Sequence, residues 1–485
     1  MDVHLTIHGR HDLAGQLYRQ LRTAILDGRL APGERLPSTR DLALQIGVSR
    51  KTTLDVFERL IAEGYLRSRA GSGTFVAEAT QGLAGRAPRV SPAAQMAAPA
   101  PATHTFATPW NDVPDVLPPP RTSIVYDFVG GVTEKRLFPF DKWRSCVAHG
   151  LRLQARGRGA YHDPAGDQTL RLAISRYLAF SRAVVCAWGD IVVTQGAQQA
   201  IDLIARVLVR PGDTVAIEDP GYPPVRIALQ ALGANVVPVP VDAEGMVVDA
   251  LPPQAKLVYV TPSHQFPLGM PMSLARRAQL LDWAQRHGAL ILEDDYDSEF
   301  RFDGRPMESL KSLDATGCVA YVGTFSKTIF PELRIGYVVP PASLLTPLRR
   351  AKQVADWHSE SLTQAALAKF MLDGDFGKYL RRMHKEYAAR RDALLRHLRG
   401  PLSTWMMPLP SAAGIHMAAQ LRAPLQEPAV LKLAESVGVG LYGTAKMHAA
   451  RPPQPGLLIG YGYVNVAEID AGLARLARVL AELAT

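Results

Sequence analysis

The strongest constraint in this chain is an alternation that begins near residue 123. Five short apolar runs, DIVVTQG, TVAIEDP, KLVYVTP, ALILEDD and CVAYVGT, each end in turn residues, and helical patterns lie between several of them. Strand-like runs separated by helices predict a mostly parallel α/β sheet, and such sheets bind ligands at the carboxyl ends of their strands. At 485 residues the chain is too long for one ordinary domain. Its 47% hydrophobic and 20% charged residues fit a soluble globular protein. No apolar run is long enough to span a bilayer, and the start, MDVHLTIHGRHDL, lacks a signal-peptide pattern. The three cysteines, Cys146, Cys186 and Cys318, are odd in number and far apart. That argues against a disulfide framework or a zinc site and fits a reducing cytoplasm.

Three zones are expected: residues 1–77, an Ala/Pro-rich linker over 78–122, and residues 123–485. The linker composition buries too little apolar surface to offset the entropy of ordering it. In the first zone, Ser38 is placed to cap a short helix running to Ile46, with Asp41 three residues on. Gly47 supplies a tight turn. Ser49 caps a second helix, in which Leu54, Phe57, Leu60 and Ile61 recur at helical spacing. Residues 65–76 read as two strands around Ala70-Gly71-Ser72-Gly73, a hairpin wing. Helix, glycine turn, helix and wing make a winged helix-turn-helix, mostly α, whose second helix lays its first residues in the DNA major groove. Those residues are Ser49, Arg50, Lys51, Thr52 and Thr53. Arg50 suits guanine edges, and the hydroxyls and Lys51 suit phosphates. Arg35, Ser38, Thr39, Arg40, Arg67 and Gly71 are further candidate contacts to the DNA. The net charge of +9 permits a polyanionic partner without requiring one.

The stretches PGERLPSTRDLALQIGVSRKT and LIAEGYLRSRAGSGTFV resemble the winged helix-turn-helix of the GntR family. The resemblance implies a dimer acting on paired half-sites of double-stranded operator DNA.

The large zone contains GTFSKTIFPELRIGY, residues 323–337, with Lys327 set among apolar neighbours. Burial lowers a lysine's pKa and so makes a neutral amine able to condense with an aldehyde. Pyridoxal 5'-phosphate is the common aldehyde partner, and its site needs the lysine, a carboxylate for the ring nitrogen, a phosphate cradle and a ring face. Each has a candidate. Asp294 follows the strand 289–292, and Tyr296 is placed for the ring's phenolic oxygen. Gly196, Ala197 and Gln198 open a helix that offers backbone N–H groups to a phosphate. Thr324, Ser326 and Arg334 add donors, and Tyr222 supplies the ring face.

The order of these pieces resembles the fold-type I pyridoxal-phosphate-dependent transferases, the aminotransferases among them, with a large and a small subdomain. The resemblance implies that Lys327 is the Schiff-base lysine, Asp294 the pyridinium partner, Tyr222 the stacking ring and Tyr161 a contact made across a homodimer. Two departures stand out. Phe266-Pro267-Leu268-Gly269 replaces the family's Asn-Pro-Thr-Gly, leaving His264 or Gln265 as substitutes for the Asn. Leu458 stands where the family's carboxylate-binding arginine is expected, and Arg422, Arg226 or Arg451 are the candidates to hold an effector instead.

Taken together, the two halves resemble the MocR/GabR-like subfamily of bacterial regulators. The resemblance implies a homodimeric transcriptional regulator that senses a small amine or amino-acid-like effector, or the cofactor itself. A working aminotransferase with an attached reader, and a cofactor-free sensor, are the alternatives. The helix-forming run 376–400 is rich in Lys and Arg. It reads either as a solvated face or as a surface for bent DNA.

Overall fold

A computed structural model describes residues 5–7, 9, 11–78, 110–111, 113, 123–304, 307–450 and 454–482. The linker expected over 78–122 lies almost wholly outside these residues, as does Arg451. The chain divides into two compact units, Met1–Phe106 and Ala107–Thr485.

The first unit has helices Leu13–Leu26, Thr39–Ile46 and Arg50–Ala62, then paired strands Leu66–Arg69 and Gly73–Val76. Leu17, Leu21 and Ile25, one helical turn apart, meet Leu42, Val56, Phe57, Leu60, Leu66 and Val76 in one core. Ser38 caps the second helix by accepting the Asp41 N–H at 3.2 Å, and Ser49 caps the third by accepting the Thr52 N–H at 3.0 Å. Gly47 ends the second helix at φ 69°, a left-handed conformation that glycine adopts freely. Leu54 differs from the expected pattern. It is 44% exposed, and Val56 takes the core position beside Phe57.

In the second unit, one eight-stranded sheet positions the site. Its strand order is Val192–Thr194, Gly336–Val339, Val319–Thr324, Leu290–Asp295, Leu257–Val260, Thr214–Asp219, Asn235–Asp242 and Gly245–Met246. Neighbours are parallel except at the strands Gly336–Val339 and Gly245–Met246. The central strands are buried on both faces, so they read as continuous apolar runs. Alternate residues serve opposite layers. Val215, Ile217, Tyr259, Leu292 and Val322 pack with the helix Ala197–Leu208. Ala216, Val258, Val260, Ile291 and Val319 pack with Leu280 and Trp283 of the helix Leu274–His287.

A four-stranded antiparallel sheet, Met406–Pro408, His416–Leu421, Gly456–Gly460 and Tyr442–Gly443, forms the smaller part of the unit. The helix Asp375–Arg399 is the basic stretch noted in the sequence. One of its stripes is core: Phe376, Tyr379, Met383, Tyr387, Ala393, Leu394 and Leu398 are buried. Arg390 is buried with them and pairs with Glu134 at 2.8 Å and Glu386 at 3.0 Å, whereas Arg381, Arg382, Lys385 and Arg396 are exposed. No helix among the described residues is long and apolar enough to cross a membrane.

Candidate functional site

Parallel strands deliver their last residues to one edge of the sheet. Lys327 follows the strand Val319–Thr324 by three residues. Its Nζ donates to the Gly131 carbonyl at 2.8 Å. Burial holds the Lys327 pKa below the ordinary lysine value, and the nearby Asp297 and Asp294 carboxylates partly oppose that. A Cβ on Gly131 would lie 2.7 Å from Nζ, so the close approach needs glycine there.

Asp294 is on the neighbouring strand. Its Oδ2 accepts from the Tyr259 hydroxyl at 2.7 Å, and its Oδ1 is buried with no partner among the described residues. Burial raises the Asp294 carboxyl to about 6, against the downward pull of the Tyr259 hydrogen bond. The acidic neighbours of Asp294 point to the other face of the sheet. Asp295 pairs with the buried Arg182 at 2.7 Å, and Glu293 accepts the Leu310 and Lys311 N–H groups. Of the three carboxylates in EDD, Asp294 alone therefore shares a sheet face with Tyr259.

Gly196 caps the helix Ala197–Leu208, and having no side chain it leaves the first N–H groups of the helix without a cap bond of its own. Gly196 adopts φ 79°, and a Cβ there would lie 2.7 Å from Nη2 of Arg334. That guanidinium donates to the Gln195 carbonyl at 2.9 Å. Thr324 Oγ1 donates to Ser326 Oγ at 3.0 Å. Arg334 is thus packed at the Gly196 helix start, and Thr324 pairs with Gly336 on the strand that packs against it. Gly336 lies beneath it: its own Cβ would sit 2.6 Å from the Gly196 carbonyl carbon.

Tyr222 is half-buried and meets Phe266 edge-on at 5.3 Å. Burial, with Asp294 nearby, pushes its hydroxyl up to about 12. Tyr296 is half-buried, and its hydroxyl donates to the His264 carbonyl at 2.8 Å. Both substitutes for the absent Asn are engaged by protein. His264 Nδ1 lies 2.9 Å from Asp297, and its Nε2 lies 3.2 Å from Ser411 Oγ. Gln265 donates to the Pro220 and Phe266 carbonyls. The His416 ring lies tilted beside that of His264 at 4.6 Å, and burial lowers its pKa to about 3. Together His264, Asp297 and His416 present nitrogen and oxygen atoms within 4.8 Å of one another. Sequence reasoning passes over Tyr259, Gly131, Asp297, His416 and Gly336.

Leu458 occupies the position expected of a carboxylate-binding arginine. It is buried, and its Cδ2 lies 2.9 Å from where a Gly130 Cβ would stand. An apolar side chain thus packs one residue from the carbonyl that holds Lys327. Of the proposed replacements, Arg226 and Arg422 fall within the described residues. The Arg226 guanidinium donates to the His448 and Lys446 carbonyls, and Arg422 lines a separate cavity whose lining does not include Lys327. Tyr161 is 73% exposed and stacks on Trp357 at 4.7 Å.

In the first unit, Arg35, Ser38, Arg40, Ser49, Arg50, Lys51 and Gly71 are exposed, and Thr39, Thr52 and Arg67 are half-buried. Arg67 is paired with Glu78. Thr53 corrects the expectation of a DNA contact. It is fully buried, and its hydroxyl donates back to the Ser49 carbonyl at 3.2 Å, because its place on the helix faces the core.

Residues 13–76 match the family model of the bacterial regulatory proteins, gntR family, and residues 132–452 match that of aminotransferase class I and II. These matches and the fold define the class: a winged helix-turn-helix joined to a fold-type I aminotransferase domain. The chain is 37% identical to the probable rhizopine catabolism regulatory protein MocR of Rhizobium meliloti, covering 95% of this chain and 92% of that one. It is 30% identical to the pyridoxine biosynthesis transcriptional regulator PdxR of Corynebacterium glutamicum, covering 95% and 94%. Among solved structures, the α-aminoadipate aminotransferase LysN of Thermus thermophilus, complexed with N-(5'-phosphopyridoxyl)-L-leucine, superposes with a TM-score of 0.69 at 26% identity. That match covers 78% of this chain and 95% of LysN. The chain belongs to the MocR-type branch of the GntR family of transcriptional regulators.

Proposed function

We propose that this protein is a regulator that binds operator DNA as a homodimer and holds pyridoxal phosphate at Lys327, where a small amine or amino-acid-like effector is sensed. The observation that carries the reading is the unpartnered Oδ1 of Asp294, buried near the Lys327 amine. A buried carboxylate oxygen without a donor is costly, and a protonated pyridine nitrogen is the donor that would satisfy it. The glycine-built helix start beside Arg334 suits the phosphate in the same way.

When bound, pyridoxal phosphate supplies an aldehyde carbon and an electron-accepting ring. The protein's residues hold and orient it. Lys327, kept below its ordinary pKa by burial, would give up its proton more readily than a free lysine. Asp294 would accept the ring-nitrogen proton's hydrogen bond, and Tyr259 holds Asp294 in place for it. Tyr222 and Phe266 form an apolar wall that excludes water. Tyr161, exposed on its own chain, suits a contact to the partner subunit's site. Leu458 offers no guanidinium to an α-carboxylate, which disfavours an ordinary amino-acid substrate and sets sensing ahead of turnover. An effector held beside Lys327 would change charge and packing in this site, and DNA affinity would follow if two states of the dimer present the readers differently.

The test is the absorption spectrum of the purified protein after incubation with pyridoxal phosphate, with and without borohydride, beside Lys327→Ala. The expected result is a visible band that borohydride abolishes in the wild type and that the variant lacks. A wild type that stays colourless refutes the reading.

A further inference from the structure

A cavity of about 570 Å³ opens in the second unit between the C-terminal half of the helix Asp375–Arg399 and the four-stranded sheet. That volume is of the size that holds small organic ligands. The apolar side chains of its lining that reach the open space are Leu395, Met407 and Leu409, backed by the fully buried Leu398, Met406 and Met417. Methionines give an adaptable apolar surface, which accepts more than one ligand shape.

The polar part of the lining is unbalanced. Three arginines, Arg391, Arg399 and Arg422, line it beside one acidic residue, Asp303. Arg391 pairs with Asp303 and donates to the Ser411 carbonyl at 2.8 Å, and its Nε is buried without a partner. Arg399 and Arg422 are exposed and have no ion-pair partner among the described residues. The cavity also touches the wall of the Lys327 site. Ser411 lines it, and the Ser411 hydroxyl lies 3.2 Å from His264 Nε2.

We propose that this cavity is a second small-molecule site, specific for an amphipathic anion. The carboxylate, sulfonate or phosphate head lies among Arg391, Arg399 and Arg422, and the apolar body lies on Leu395, Met407 and Leu409. Planar guanidinium groups suit such heads because they donate two parallel hydrogen bonds. The site is separate from the one at Lys327 and is independent of whether a cofactor is held there.

The test uses the full chain and anilinonaphthalene sulfonate, an amphipathic anion whose fluorescence rises on transfer from water. Octanoate, octylamine and octanol are the competitors, and Arg399→Glu/Arg422→Glu is the variant. Both substituted residues are exposed, and a thermal melt checks that the variant folds. Octanoate is expected to displace the probe, while octylamine does not and octanol does so only weakly. The double variant is expected to bind the probe about tenfold more weakly or worse. Unchanged probe affinity in the folded double variant overturns the proposal, as does displacement by octylamine equal to that by octanoate. Arg391→Gln is a second check, since it removes one guanidinium from the lining without adding a charge. It too is expected to weaken the probe, and an unchanged affinity counts against the site.

Discussion

The Tyr259 hydroxyl donates to Asp294 Oδ2 across two neighbouring parallel strands. Tyr259 pairs in register with Leu292, so Asp294, two residues further along, stands on the same face and within reach of the hydroxyl. That bond opposes the burial that raises Asp294 to about 6. In Tyr259→Phe the opposing contribution is gone, so Asp294 rises further and is neutral over more of the range near pH 7. The pH titration of the visible band is expected to move upward by roughly one unit. An unmoved midpoint would show that Tyr259 does not set the charge of Asp294.

Burial raises Glu218, Glu293 and Glu299 to about 7. A carboxyl whose folded pKa exceeds its unfolded value adds stability below the unfolded pKa, and that stability is lost as pH rises through the folded pKa. The melting temperature of the cofactor-free protein is therefore expected to fall between about pH 5 and about pH 8. Glu218→Gln is expected to flatten part of this slope, because the Glu218 Oε1 has no partner to lose while Oε2 accepts from Thr261. An equal slope in wild type and variant would contradict the assignment.

Gly336 crosses beneath the Gly196 turn with no room for a methyl group. Gly336→Ala forces a methyl group against the Gly196 backbone, a clash no rotamer relieves. Pyridoxal phosphate affinity, followed by titration of the visible band, is expected to drop by about tenfold or more, with roughly 1–3 kcal/mol lost from stability. Normal affinity in the variant would mean the turn is not part of the anion site.

Leu458→Arg restores a guanidinium beside Gly130 and Lys327. It is expected to increase the rate at which α-amino acids bleach the visible band by about tenfold or more, one good charge-assisted contact being worth that much. Leu458→Met is the control for size and is expected to leave the rate unchanged. No gain in the arginine variant would show that position 458 does not limit amino-acid use.

In the reader, Arg50 and Thr53 are expected to behave differently. Arg50→Ala removes an exposed donor at the start of the third helix and is expected to weaken binding to a selected operator duplex by about 1–3 kcal/mol, read by fluorescence anisotropy. Thr53→Ala removes a buried hydroxyl bonded to the Ser49 carbonyl, so its effect belongs in the thermal melt. Arg50→Ala binding at wild-type affinity would remove this helix from the interface.

The parts of the site legible in the sequence are those coded locally. Lys327, Asp294 and Gly196 sit where an apolar run meets turn residues, so the strand ends place them. Tyr259 and Gly131 act through contacts 35 and 196 residues away, which no local pattern carries. Tyr259 still leaves a trace, as the polar atom in the run KLVYV two residues from Thr261. Thr53 and Leu54 depart from the sequence reading for a related reason. The helix cap fixes where the helix starts, but which face turns inward depends on the first helix packed against it, and that places Val56 inside and Leu54 outside. The sequence leaves His264 free for a cofactor, whereas Asp297 and Ser411 hold both its nitrogens.

The strand Gly336–Val339 runs against its neighbours, so it contributes its beginning, rather than its end, to the ligand-bearing edge. Arg334 precedes that beginning by two residues, and Lys327 follows the end of the strand beside it. The amine and the guanidinium therefore come from a single tight connection, where a parallel arrangement would have required a long crossover between them. Their spacing is set by about ten consecutive residues, so it depends on that one connection and not on how distant layers pack.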